Sequence, residues 1–154
     1  MNYFIRKVIL TTLTIFAGVC TAASLDEKTV VGILQTLDQA VLDKNIQPFE
    51  NLISPNADIK VYLGGPKGEV KKFSKKEYID ALKQGWQNPQ DYTYKRTSIK
   101  TRFSDDKRKA FIKSTVKESL TVKGQTVAST SEEEMTIELV NDTFVITKMI
   151  AIAL

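Results

Sequence analysis

The sequence predicts one α+β domain, a cone-shaped roll of three N-terminal helices packed on a curved, mostly antiparallel sheet. Three observations predict it. Apolar residues recur at helical spacing in three segments of the first half. From Tyr92 onward the period switches to two. The alternating runs are also far longer than the roughly 5–6 residues of an ordinary strand, so they must twist and coil into a concave face. That face is where the helices can bury their apolar stripes.

The elements follow in chain order. Ser24 with Glu27 has the spacing of a capping box, and Val30, Ile33, Leu34, Leu37 and Val41 form the first helical stripe. Asn45 is placed to cap a second, shorter helix with Pro48 in its first turn, where proline is tolerated. Phe49, Leu52 and Ile53 are its buried face, and Ser54-Pro55-Asn56 its end. Ala57 to Leu63 reads as a strand, with Ile59, Val61 and Leu63 on one face and Asp58, Lys60 and Tyr62 on the other. Gly64 to Gly68 is a turn, with room for a short return strand over Glu69 to Phe73. Ser74 and Glu77 repeat the capping-box signal before a third helix. Tyr78, Leu82 and Trp86 form its stripe, and Asn88-Pro89 stops it. Tyr92 and Tyr94 then share one parity while Ile99, Thr101 and Phe103 share the other, which predicts a bulge near Arg96 to Ser98. Ala110 to Val122 alternates cleanly, Lys123-Gly124 turns the chain, and Gln125 to Val140 returns with Met135, Ile137 and Leu139 buried. After an Asn141-Asp142 turn, Thr143 to about Ala153 is the last strand. The expected order is α-α-β-α-β-β-β-β.

Residues 1–23 differ from the rest. A head carrying Arg6 and Lys7, an apolar run from Val8 to Val19, and the small-residue exit Cys20-Thr21-Ala22-Ala23 are the three parts of a secretory signal peptide. The run is interrupted by Thr11, Thr12 and Thr14 and is shorter than the about 20 apolar residues of a spanning helix. Cleavage is expected near Ala22 or Ala23, leaving residues 24–154 as the mature domain in the periplasm or secreted, with no stable membrane insertion. A lipid anchor at Cys20 fits poorly, because Val19 and Ala17 stand where a small residue and leucine are usual.

The signal takes two of the four net positive charges with it, leaving +2, too mild to argue for nucleic acid. Cys20 is the only cysteine, so the mature domain has no disulfide and depends on its core. There is no histidine at all. Ser-His and Cys-His nucleophiles, histidine bases and zinc sites of His or Cys are thereby excluded. No cofactor or metal is expected, and no residue set forms a recognisable catalytic machine.

Two stretches carry a resemblance: Asp43-Lys44-Asn45-Ile46-Gln47-Pro48-Phe49-Glu50-Asn51-Leu52-Ile53 with Ala57-Asp58-Ile59, and Glu118 to Ile150 with its Lys123-Gly124-Gln125 turn, Met135-Thr136-Ile137-Glu138-Leu139 and Phe144-Val145-Ile146-Thr147-Lys148. In element order they resemble small exported members of the nuclear transport factor 2-like superfamily, which includes SnoaL-like cyclases and ketosteroid isomerase. The resemblance covers about residues 24–154 and implies a fold rather than a reaction. Ketosteroid isomerase relies on a tyrosine and two aspartates. The matching positions here are Leu37, about Val61 and near Thr136, so that chemistry is not implied. Histidine-dependent members are excluded outright.

Leu37, Tyr62, Tyr78, Trp86, Tyr92, Tyr94 and Glu118 are the candidate pocket residues. Tyrosine and tryptophan suit an apolar ligand held at one wet end, although the same rings also read as core packing. Glu118, on an otherwise apolar strand face, is the carboxylate whose burial would mark a site. Glu132-Glu133-Glu134 reads as a solvated strand edge. Lys71, Lys72, Lys75 and Lys76 read as a charged helix start, and Gly64 to Gly68 lacks the Lys-Ser/Thr of a phosphate loop. Three functional readings follow, in this order. The first is a non-enzymatic exported module that binds a small apolar ligand or a protein, with a homodimer through the sheet. The second is a SnoaL-like enzyme using Tyr and Asp/Glu. The third is a cell-envelope assembly component.

Overall fold

The computed structural model describes residues 24–87 and 91–154. The signal-peptide reading of residues 1–23 and the Asn88-Pro89 helix stop lie outside the described residues.

The first helix, α1 (Glu27–Leu42), is capped by Asp26, whose carboxylate accepts a hydrogen bond from the Thr29 amide at 2.7 Å. The Ser24–Glu27 box is not used. Leu25 is fully buried and its amide donates to the Lys107 carbonyl at 2.9 Å, so the chain stays extended past Ser24. Val30, Leu34, Leu37, Ala40 and Val41 form the buried stripe. The short α2 (Gln47–Leu52) begins with Pro48 in its first turn, and the Asn45 side chain accepts from the Gln47 amide at 3.1 Å.

Strand β1 (Ile53–Leu63) starts at once. Pro55 is tolerated in it because pairing with the neighbouring strand shifts register between Ile53 and Asp58, where no ladder bond is asked of its nitrogen. The return strand β2 (Glu69–Phe73) is a full partner of β1. Gly68 is needed between them, since an added Cβ would lie 1.9 Å from the Leu63 carbonyl oxygen. Helix α3 (Lys75–Gly85) carries the expected capping box, with both Ser74–Glu77 bonds formed.

The remaining strands are β3 (Asp91–Phe103), β4 (Lys109–Val122), β5 (Gln125–Val140) and β6 (Thr143–Ala153). The six strands lie in the order β2-β1-β6-β5-β4-β3. Every pairing is antiparallel except β1 with β6. Tight turns at Lys123-Gly124 and Asn141-Asp142 use positive φ at both residues, 50° and 77° then 47° and 59°, the geometry that matches strand twist. The bulge in β3 falls between Thr97 and Lys100, with Ser98 at φ 53°. It switches the inward-facing parity from Tyr92, Tyr94 and Arg96 to Thr101 and Phe103.

Three helices thus cover one face of a six-stranded, curved sheet. The core between them joins Leu25, Val30, Leu34, Leu37, Phe49 and Ile53 to Ala110, Ile112, Met135, Ile137 and Ile146 of the sheet.

Candidate functional site

The cross-strand register arranges the inner face in rungs. At the closed end Phe103, Ala110, Ile137 and Ile146 lie side by side, and beside them Thr101, Ile112, Met135, Met149, Ile59 and Phe73. Apart from Thr101, both rungs belong to the packed core or lie against it. The middle of the cone is polar, carrying Arg96 next to Val116, and Ser114 next to Glu133. Toward the open end come Tyr94, Glu118 and Ser129, then Tyr92, Leu120 and Val127.

Arg96 organises the polar middle. Its side chain is 5 % exposed. Its Nε donates to Asp38 of α1 at 2.9 Å, and its Nη1 to Glu133 and to Ser114, both at 2.7 Å. Its Nη2 donates to the Tyr94 hydroxyl at 2.5 Å, and its guanidinium sits 5.8 Å from the Tyr94 ring centroid. Two carboxylates and two hydroxyls thus take four of the five N–H donors of this buried guanidinium, and each of its nitrogens has a partner. Burial works against its charge, but Glu133, Tyr94 and Asp38 outweigh burial and raise its pKa. Glu133 moves the other way from an ordinary ion-paired acid: desolvation raises its pKa despite the opposing pull of Arg96.

Above this belt the Tyr92 hydroxyl donates to Glu118 at 2.7 Å. Burial first, then that hydrogen bond and the charge of Glu118, raise the Tyr92 pKa. Burial and Glu133 do the same for Tyr94 and Tyr78. These phenols therefore hold their protons, Tyr92 donating to Glu118 and Tyr94 accepting from Arg96. Asp38 and Glu133 are occupied by Arg96, which leaves Glu118 as the inner carboxylate nearest the mouth. A cavity of about 20 Å³ lies beside Tyr78 and Glu133, lined also by Val61, Met135 and Met149. It has room for one water and none for an organic molecule.

The structure brings Tyr92, Tyr94 and Glu118 together on the inner face, with Tyr78 close by. It sets the other candidates elsewhere. Leu37 is 1 % exposed within the core. Trp86 packs against Phe49 with ring centroids 6.0 Å apart. Tyr62 pairs with Ile152 and Val70 on the convex face, outside the cone. The glutamate run divides: Glu134 pairs with Lys113 outside, while Glu133 points inward, so the solvated-edge expectation fails for that residue. Sequence reasoning missed Asp38, Arg96 and Glu133. For two of them a signal existed, since Arg96 shares parity with Tyr92 and Tyr94, and Glu133 with Met135, Ile137 and Leu139.

Outside the cone, an open groove of about 510 Å³ runs between α3, α2 and β1, lined by Glu50, Pro55, Ile79 and Lys83 among others. Its charges neutralise each other, with Lys83 and Glu50 3.1 Å apart. Lys75 is the exception: its Nζ donates to the Glu50 and Ile53 carbonyls, both at 2.7 Å, and so closes the C-terminal end of α2. Among the described residues no helix is long and apolar enough to cross a membrane.

No family model matches the sequence, and no curated protein matches it significantly. Solved structures do match. A nuclear transport factor 2-like protein from Cytophaga hutchinsonii aligns over 84 % of this chain and 100 % of its own, with 14 % identity and a TM-score of 0.64. Hexachlorocyclohexane dehydrochlorinase LinA-type3 from Novosphingobium barchaimii aligns over 80 % and 83 %, with 11 % identity and a TM-score of 0.64. A nuclear transport factor 2-like protein of unknown function from Silicibacter pomeroyi aligns over 81 % and 93 %, with 13 % identity and a TM-score of 0.56. These likenesses, together with the rungs above, establish the architecture: the chain has the nuclear transport factor 2-like fold, which hosts both enzymes and proteins without assigned activity.

Proposed function

We propose that this chain is an exported, non-catalytic binding module that holds a small, largely apolar ligand at the mouth of its cone. One observation carries the reading. The rung Tyr92, Leu120 and Val127 presents apolar surface at the open end, Val127 being 59 % exposed, next to the Tyr94, Glu118 and Ser129 rung and beyond an Arg96 belt whose charges are already spent on one another. The closed end is filled, so the shelf at the mouth is the place for a guest. Glu118 borders it and accepts from Tyr92 through Oε1. A ligand with an apolar body and one hydroxyl or amine donor fits that pairing.

Mass spectrometry of protein purified from the cell envelope tests the reading. A defined small molecule should co-purify with the wild type and be lost from Leu120→Glu and Val127→Glu. Recovery of nothing specific from any of them would refute it. The basic head, apolar run and small-residue exit of residues 1–23 support export, which N-terminal sequencing of envelope protein checks by finding a start near Ser24 or not.

A second reading rests on the Tyr92–Glu118 hydrogen bond, because a phenol and a carboxylate in a partly buried site can share acid–base work. Dehydrochlorinases stand among the structural neighbours. Under that reading Glu118→Gln would keep the ligand bound but unchanged, and the wild type would release a product.

A homodimer through the sheet is supported by Val70, Tyr62, Ile150 and Ile152, which adjoin one another on the convex face. Tyr62→Asp should then yield monomer in light scattering; a wild-type monomer would rule the dimer out.

A further inference from the structure

Apart from the cone, the convex face carries a charge pattern that the fold alone does not account for. Lys95 stands directly opposite Lys117 across the β3–β4 ladder, and Lys100 directly opposite Lys113. Like charges facing each other on one sheet surface repel and destabilise the pair. Arg102 continues the row opposite Phe111, its guanidinium 5.2 Å from the ring centroid. All six side chains are exposed. Glu134 holds Lys113. Among the described residues no carboxylate lies within 4.0 Å of a basic nitrogen of Lys95, Lys100, Arg102 or Lys117. Lysine on β3 can be explained as protection of an edge strand. On β4, which is flanked on both sides, Lys109 and Lys113 face Glu138 and Glu134 of β5, but Lys117 faces Thr130 and Lys95 and neither account covers it.

One exposed apolar side chain lies on this face among the cations, Phe111 at 37 % exposure. That combination decides the partner. A soluble polyanion needs only the cations. A bilayer with anionic headgroups rewards cations and exposed apolar side chains together, the first over the phosphates and the second at the acyl boundary.

We propose that the β3–β4 ribbon is a docking surface for an anionic lipid bilayer, with Lys95, Lys100, Arg102 and Lys117 against the headgroups and Phe111 at the interface. From Lys95 to Arg102 the ribbon runs about 20 Å, long enough to touch more than one headgroup. Docking would relieve the repulsion between the facing lysines and leave the cone mouth unobstructed for its own ligand. The proposal does not depend on what the cone binds.

Co-sedimentation of the purified full chain with vesicles tests it. One set is phosphatidylcholine, the other phosphatidylcholine with phosphatidylglycerol, each at low and high salt, with heparin as a soluble polyanion. The expected result is binding to the anionic vesicles that salt abolishes. Lys95→Gln with Lys117→Gln should weaken it about 10- to 30-fold, and Phe111→Ser should weaken it as well. Lys28→Gln with Lys67→Gln removes the same charge elsewhere and should leave binding unchanged, with circular dichroism reporting that each variant is folded. Equal partition into neutral vesicles, indifference to the Lys95 and Lys117 changes, or retention by heparin without vesicle binding would each overturn the proposal.

Discussion

Arg96 of β3 reaches past β4 to meet Glu133 of β5 at 2.7 Å, sharing the same Nη1 with Ser114 of the strand between them. One side chain thus ties three strands together, and through Asp38 it also ties them to α1. The interior is fixed by a polar knot rather than by apolar contacts alone, and this shapes what substitutions will do.

Removing the cation should cost more than removing either anion. Arg96→Met leaves Asp38 and Glu133 facing each other without compensation, so urea denaturation should show a loss of about 3–5 kcal/mol. Glu133→Gln should cost less, since Asp38 still balances Arg96. Adding Glu133→Gln to Arg96→Met should recover part of the loss.

The raised pKa of Glu133 gives a pH dependence of unusual sign. The folded state binds this proton more tightly than the unfolded chain, whose carboxyl titrates near 4.5. The contribution of Glu133 to stability is therefore present at and below that pH and is lost as pH rises through the folded value. Wild type should gain stability relative to Glu133→Gln as the pH falls from neutral toward 4.5. Glu134 behaves in the opposite way. Its hydrogen bond from Lys113 lowers its pKa, so its contribution fades as pH drops below the ordinary range. Urea midpoints of wild type, Glu133→Gln and Glu134→Gln, followed from neutral pH to below 4.5, separate the two.

Leu37 is core. Leu37→Ala should lower stability by about 2–5 kcal/mol, and any effect on ligand retention should follow the unfolded fraction. A change in retention at full folding would place Leu37 in the site.

Lys75 holds the end of α2 through two carbonyls at 2.7 Å. Lys75→Met should cost about 1.5–3 kcal/mol, the range for hydrogen bonds to a charged group. Hydrogen exchange should accelerate first around Gln47–Leu52, ahead of the sheet.

Much of the fold was legible because it rests on local rules. The Ser74–Glu77 box, the Lys123-Gly124 turn and the β3 bulge each follow from a few adjacent residues. The cap of α1 was not, because it depends on Leu25 being pinned by Lys107, a contact between distant parts of the chain. The site was read partly. Tyr92, Tyr94 and Glu118 stood out by alternation, whereas Glu133 was hidden inside a charged triplet whose outer members are solvent-facing. Asp38 could not be read at all, since its meaning comes from Arg96, which lies beyond two further helices in the chain. Tyr62 shows the converse: a suitable residue type, turned to the other face by its place in the strand.

The pairing of β1 with β6 bears on how the chain reaches its native state. The middle of the sheet joins residues near position 59 to residues near position 149, so β1 and β2 cannot join the other strands until the final strand has been synthesised. Such long-range closure slows collapse. A ribosome-bound or partly emerged chain would stay threadable, which suits the export proposed above. Truncation before Thr143, which removes the whole of β6, would leave it permanently in that state.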